Sequence, residues 1–534
     1  MLSDANGSQL YLFDSTSRTK PKIIVNLCFC TVYKLDESVF LRDDCVQLVV
    51  HGIESNSIYL AFSRRSAFFQ WFNHLKWLCL GLRNPNCLFV PFSNSRMIFH
   101  KTFSFVQVAV RNYRSFALKH DGSYIVSVLV NGYKLCSTKC RGVSQNSSQV
   151  IFDSLFFLEW IPIPCEMGTC NIQLVIHLIS HYKKLRLIDS SPIYKLGNSE
   201  DKQNFLKESG DGCGFVFEAQ RYSITVLPEA HYSSFHALLS THEFALCQWT
   251  SDMLNSLERT IFCRSLVATF LPELTTLVRM VATVVDKHLS CTSVEVIFRS
   301  DSFCTTLISS ALRMIAFGAI KEHLEDMLKE IGNAADDSDA QLMEFLSILK
   351  NVIPKLPPAF FAVMSTVADR TVLAFPDNIQ LRRRSVSSFF FLRFINPMVL
   401  FFESTTATSN NLRQFVRIIQ NAINQAISKR HSAMTSSDSV RILVEILDML
   451  SVQPTQSQVF VLRNEFYKYN QADYLAIIAF FVTSVLNDDY NNTSGLLDRA
   501  HGKCHCPVRE AEVVLNLLQV HADHFIAGHG SVSP

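Results

Sequence analysis

The feature that most limits what this chain can fold into is a change of hydrophobic period near residue 228. Ahead of it, apolar residues come in short runs rich in Val, Ile, Tyr and Phe, separated by polar turns. KIIVNLCFCTVYKL (22–35), CVQLVVHGI (45–53) and NSIYLAFS (56–63) are of this kind and read as strands. Behind it, apolar residues recur at three- and four-residue spacing, the mark of helices buried along one side. The chain therefore reads as multidomain, with a β-rich N-terminal part followed by an all-α part. Its 534 residues allow three or four domains.

Within the first part, SAFFQWFNHLKWLCLGL (66–82) carries Phe68, Phe72, Leu75, Cys79 and Leu82 at helical spacing, with Trp71 and Leu78 beside them. Strands closed by this helix form a small barrel-like module over 1–83. A second block, 101–227, has the composition of a β-sandwich, and Asn131-Gly132 within it is a hairpin turn. Polar residues 191–213 read as an inserted loop. From 228 to 500, RSLVATFLPELTTLVRMVATVVDKHL (264–289), FCTTLISSALRMIAFGAIKEHLEDMLKEI (303–331) and further segments up to 439–451 read as helices; a C-terminal helix and tail follow over 501–534. Pro272 is placed near the start or at a kink of its helix, and Asn396-Pro397 is expected to break another.

Several functions are excluded by composition. With 49 basic and 47 acidic residues there is no general field to steer the chain onto nucleic acid, and no nucleic-acid partner is expected. The start, MLSDANGSQLYLFD, lacks the basic and apolar regions of a signal peptide, and the sixteen scattered cysteines read as reduced cytosolic thiols. No apolar stretch is read as reaching the roughly 18–20 residues of a membrane span; the nearest, FFFLRFINPMVLFF (389–402) and YLAIIAFFVTSVL (474–486), are too short and read as buried helices. HGKCHCP (501–507) spaces His501, Cys504, His505 and Cys506 too tightly for an ordinary four-ligand zinc site. No Walker-type phosphate loop, nucleophile elbow or His-Glu-x-x-His motif occurs, and no metal site or cofactor is expected.

Two arginines carry chemistry. Arg299, in VIFRSDSFCTTL (296–307), directly precedes a helix, with Ser300, Asp301 and Ser302 as capping types. It is either a solvated surface residue or a cation at a helix mouth that already favours anions. Arg393 interrupts the nearly wholly apolar SSFFFLRFINPMVL (387–400). A buried guanidinium cannot shed its charge, so Arg393 needs either a carboxylate partner or backbone carbonyls of another loop.

FFLRFINP (390–397) resembles the Phe-Leu-Arg-x-x-x-Pro-Ala signature of Ras GTPase-activating proteins (RasGAPs). IFRSDSFCTTL (297–307) resembles their finger-loop motif, and RIIQNAINQ (417–425) a third motif, in the family's order. LPPAFFAVM (356–364) and FPDNIQLRRRSVSSFFFLRF (375–394) are also similar to the family. Upstream, 1–83 resembles a pleckstrin-homology (PH) domain lacking its first strands, and 101–227 resembles a C2 domain. No Src-homology module is read ahead of them.

The resemblance implies a regulator rather than an enzyme with its own substrate site. Its partner would be a Ras-family small GTPase in the GTP form, which itself binds Mg-GTP. Arg299 would be the arginine finger inserted in trans, and Arg393 would brace the finger loop. Phe298, Ser300, Leu392, Arg417, Gln420, Asn421 and Asn424 would form the GTPase-binding surface. The sequence departs from the family at Phe303, Cys304, Met398 and Arg417, where small residues, an alanine and a lysine are usual. The alternative reading is therefore a catalytically weak scaffold that keeps the fold and binds a GTPase or membrane. The PH- and C2-like parts imply a cytoplasmic chain with room for peripheral contact at the plasma membrane. Asp121 alone in KHDGSY (119–124) argues against a Ca²⁺ site, and Lys183, Lys184 and Arg186 are candidates for anionic lipid.

Overall fold

The structure, a computed structural model, describes residues 2–3, 9–13, 21–27, 30–40, 42, 44–51, 56–62, 67–68, 71–72, 75, 101–119, 122–143, 148–161, 170–179, 184–196, 203–206, 214–227, 229–292, 297–333, 338–376, 378–403, 409–428, 438–452, 471–492 and 505–530. Cys79, Leu82, Asp121, Lys183, His501 and Cys504 lie outside them. The chain divides into two compact units, Met1–Val226 and Leu227–Pro534. The first is β-rich and the second all-helical, and the division falls at the change of period.

In the first unit, Leu2–Ser3 (β1), Gln9–Leu12 (β2) and Ile23–Asn26 (β3) form a small antiparallel sheet. Next come Cys30–Leu35 (β4), Cys45–Val50 (β5), Asn56–Ala61 (β6), Lys101–Arg114 (β7), Ser123–Val130 (β8), Tyr133–Ser137 (β9) and Arg141–Gly142 (β10). They are followed by Gln149–Ile161 (β11), Cys170–Ile179 (β12), Leu185–Ser190 (β13), Tyr194–Leu196 (β14), Gln203–Leu206 (β15) and Gly214–Val226 (β16). One sheet runs β15-β16-β7-β11-β4-β5-β6. The other runs β10-β8-β12-β13, with β9 on β8 and β14 on β12. Val106, Val108 and Val110 of the first sheet share a core with Val126, Val128, Ile172 and Leu174 of the second, which makes the sandwich expected over this stretch. β12 shows why: Cys170, Ile172, Leu174 and Ile176 alternate inward while the residues between them are half-exposed. Asn131 and Gly132 join β8 to β9 with φ of 52° and 84°. Positive φ at both central residues is the geometry of a type I′ hairpin, as Asn-Gly predicts.

Two features of this unit were not legible in the sequence. The strands β4 to β6 do not close a separate sheet; Trp160 and Ile161 of β11 pair with Tyr33 and Val32 of β4. The near-continuous apolar runs of β4 and β5 are buried on both faces. Tyr33, Leu35, Cys45 and Val49 join the sandwich core, while Cys30, Val32, Val46 and Leu48 join a second core with Phe68, Phe72 and Leu75. The segment read as a loop, 191–213, carries β14 and β15. Their backbone groups pair with β12 and β16, an outcome that composition alone does not reveal.

The second unit contains Ser233–Ser240 (α1), Ala245–Met253 (α2), Ser256–Phe270 (α3), Leu274–Cys291 (α4), Phe303–Asn333 (α5), Ser338–Val352 (α6), Pro358–Ala374 (α7) and Ile379–Ser387 (α8). A π-helical turn, Ser388–Ile395, leads into Asn396–Glu403 (α9). Then come Ser409–Ser428 (α10), Asp438–Leu450 (α11), Gln471–Asn492 (α12) and His505–Gly530 (α13). Residues 264–289 form parts of two helices, α3 and α4, rather than one. Pro272 offers no amide hydrogen, and the chain turns there with Glu273 N–H bonded to Phe270 O at 2.9 Å. The stretch Phe303–Ile331 of α5 is long and apolar enough to cross a membrane, contrary to the expectation that no segment is. Yet 67% of its most apolar window is buried, so its apolarity is that of a core helix. Around it, Phe360 packs against Phe361, Phe390 and Phe394, and Phe345 against Phe415. These clusters hold six of the 42 phenylalanines of the sequence.

Candidate functional site

The site is built where α5 begins. Ser302 caps the helix reciprocally: Thr305 N–H donates to Ser302 Oγ at 3.3 Å, and Ser302 N–H to Thr305 Oγ1 at 2.9 Å. Asp301 ties the same mouth to a neighbour, accepting Ser256 Oγ of α3 at 2.7 Å and Thr306 Oγ1 at 3.2 Å. Just ahead, residues 297–300 make a turn in which Phe298 has φ of 55°. A bulky residue in the left-handed region is strained, and here it is held from three sides. Its ring is buried, stacks on His288 of α4 with centroids 5.1 Å apart and planes at 13°, and tilts against Phe389 at 4.8 Å. Its N–H donates to His288 Nε2 at 3.3 Å, and its carbonyl accepts from Arg393. Arg299, next in the chain, is exposed.

Arg393 grips this turn by its backbone. Its Nε donates to Phe298 O at 3.1 Å, and its Nη2 donates to Arg299 O at 3.0 Å and to Ser300 O at 2.7 Å. Of the two arrangements open to this guanidinium, carboxylate or carbonyls, it has the carbonyls. Burial pushes its pKa down from the ordinary arginine value, opposed by nearby Asp301. The imidazole of His288 is likewise pushed below its usual range, first by burial and then by Arg393.

Arg393 reaches the turn from the π-helical segment. The expectation that Asn396-Pro397 breaks the helix is corrected here. Pro397 cannot donate to the carbonyl four residues back, and its ring would crowd it. The chain responds by widening one turn: Asn396 N–H bonds Phe391 O, five residues back, and α9 then continues. Leu392, beside Arg393, is 41% exposed.

The third motif lies on α10. Leu412, Phe415, Ile419, Ala422, Ile423 and Ala426 are its buried stripe. Arg417, Asn421 and Asn424, at positions i, i+4 and i+7, share an exposed stripe. Gln420 is half-buried and accepts from Asn396 Nδ2 at 3.3 Å, tying α10 to the exit of the π-helical turn. Thus the structure joins Phe298, Arg299, Ser300 and Arg393 through direct bonds, and Gln420 to Asn396. The departures Phe303, Cys304 and Met398 are all buried, so their extra bulk lies in the core. Reading the sequence did not single out His288. A histidine near the end of a helix carries no local signal that a loop ten residues later will fold onto it.

Among the described residues, no group of three or more His, Cys, Asp or Glu could hold a metal. The arrangement is instead a braced turn at a helix mouth that presents a guanidinium outward. A helix mouth of this kind favours a nearby anionic group.

The chain is similar to Ras GTPase-activating protein 1 of Rattus norvegicus, Bos taurus and Homo sapiens. Each is 25% identical over 437 residues, covering 74% of this chain and 40%, 40% and 39% of the relatives, respectively. The chain thus spans about two fifths of the length of these curated relatives. No family model matches it. The resemblance to Ras GTPase-activating proteins, read first from three short motifs, therefore extends over most of the chain.

Proposed function

We propose that this chain stimulates GTP hydrolysis by a Ras-type small GTPase, docking on its GTP-bound form and inserting Arg299 beside the γ-phosphate. Negative charge spreads over the phosphoryl oxygens in the transition state, and a guanidinium held in place neutralises it without waiting for solvent to reorganise. The observation that carries this reading is the grip of Arg393 on three consecutive carbonyls around Arg299. That grip fixes the backbone while the finger side chain stays exposed. The positive end of α5 adds to the attraction for an anion. Ser300, Leu392 and the polar stripe of Arg417, Asn421 and Asn424 are proposed as partner-facing positions, with buried Phe298 and half-buried Gln420 shaping the surface from behind. The activator needs no cofactor, since Mg-GTP belongs to the GTPase. We read 1–83 as PH-like and 101–227 as C2-like, parts that would hold a cytoplasmic chain at the membrane where such GTPases reside.

The test is single-turnover hydrolysis by GTP-loaded Ras, R-Ras and Rap, each with the wild-type chain and with Arg299→Ala. Stimulation that disappears in the variant while binding persists supports the proposal. Binding without stimulation by the wild type would favour the scaffold reading, and equal activity of the variant would overturn the finger assignment.

A further inference from the structure

We propose that His288 is a positioning residue for the finger: it seats Phe298 from below, through its ring and its Nε2, and so fixes the backbone from which Arg299 projects. This rests on the reading of Arg299 just given. Phe298 is the residue whose conformation aims Arg299, and it occupies a left-handed φ of 55° that isolated chains avoid. Something must hold it there. Arg393 takes its carbonyl, which leaves the amide and the ring. Both meet His288: the amide at 3.3 Å from Nε2 and the ring in a nearly parallel stack. The bond is long, so ring stacking and amide acceptance act together. Phe389 adds a tilted ring contact at 4.8 Å.

The chemistry also requires this imidazole to be neutral. To accept the Phe298 amide, Nε2 must be bare, which assigns the hydrogen to Nδ1. Arg393 from the π-helical turn is the charge that bears on the ring. Its helix neighbours are engaged elsewhere, Asp286 with Arg370 and Lys287 with Gln248. A protonated ring would point an N–H at an N–H and add a second cation beside Arg393. Histidine thus supplies a flat face and an acceptor together, which neither phenylalanine nor glutamine does.

The experiment uses the full chain as His288→Ala, His288→Phe and His288→Gln. Two readouts are taken: hydrogen exchange of the Phe298 amide, and saturating single-turnover hydrolysis by Ras·GTP. His288→Phe keeps a stack and loses the acceptor, so amide exchange should quicken about fivefold. His288→Ala loses both, and the maximal hydrolysis rate should fall about tenfold, with half-saturation changed less than about twofold. His288→Gln should restore part of the amide protection. The proposal is overturned if the Phe298 amide exchanges equally fast in the wild type and His288→Ala. It is also overturned if the rate falls only in proportion to the folded fraction measured by thermal melting. Should His288→Ala fail to fold, the two larger replacements carry the comparison. If the wild type accelerates no GTPase, the functional reading fails while amide exchange still decides whether His288 seats the turn.

Discussion

Replacing Arg393 by alanine is the sharpest perturbation of this structure. The side chain makes three charge-assisted hydrogen bonds, at 3.1, 3.0 and 2.7 Å, to the carbonyls of Phe298, Arg299 and Ser300. A bond to a charged group contributes about 1.5–3 kcal/mol, so three in full would amount to roughly 5–9 kcal/mol. That sum is an upper bound. Arg299 and Ser300 are exposed, so water can replace the guanidinium at their carbonyls. Phe298 is buried, and its carbonyl is the one left poorly served. The expected loss is therefore that of about one bond, roughly 2–3 kcal/mol. Urea unfolding of the full chain, followed by circular dichroism at 222 nm, reads it as a lower midpoint of the helical transition. The turn would also sample states in which Arg299 points elsewhere, so GTPase stimulation should fall by about 10–100-fold. Arg393→Lys keeps the charge but cannot reach three carbonyls from one planar group, and should fall between the two. An alanine variant with both an unchanged midpoint and unchanged stimulation would refute the bracing argument.

Arg299→Ala should abolish most stimulation of the GTPase in single-turnover assays, by about 10³-fold or more, the general worth of an arginine finger supplied in trans. Its unfolding midpoint should stay within about 0.5 kcal/mol of wild type, since the side chain is exposed. Protonation gives a third expectation. The folded His288 has a lowered pKa, whereas the unfolded imidazole titrates near about 6.5. The unfolded state then binds more protons below that value, so His288's contribution is intact above about pH 6.5 and is lost as pH falls below it. Urea titrations at several pH values should show this slope in wild type and a shallower one in His288→Phe. In the first unit, Gly132→Ala places a Cβ in open space but at φ of 84°, so strain alone should cost about 1 kcal/mol. No destabilisation in a urea titration of that variant would contradict the assigned hairpin turn.

Much of this protein is written locally. The switch of period near residue 228 coincides with the boundary between the two units. The Asn131-Gly132 turn and the buried stripe of α10 follow from interactions spanning two to four residues, which any stretch of chain carries wherever it lies. So does Ser302 as a cap, and Arg393 announced itself as a charge that would need partners. What those partners are was not local. The carbonyls it holds lie about ninety-five residues earlier, and His288 meets Phe298 only because α4 and the turn converge in space. The pairing of β11 with β4 and the strands within 191–213 likewise depend on which backbone groups find partners once the cores close. Asn396-Pro397 shows the competition most plainly. Local chemistry says stop, but Met398 and Val399, just beyond the proline, are fully buried, and the continuing helix keeps them in the core. Burial on that scale outweighs one missing hydrogen bond, so the turn widens instead, and Arg393 is delivered to the finger loop. The sequence alone thus determined the elements, the order of the two units and the residues worth watching. Only the tertiary structure decided what those residues hold, because long-range contacts are chosen by the burial and backbone pairing of the whole unit.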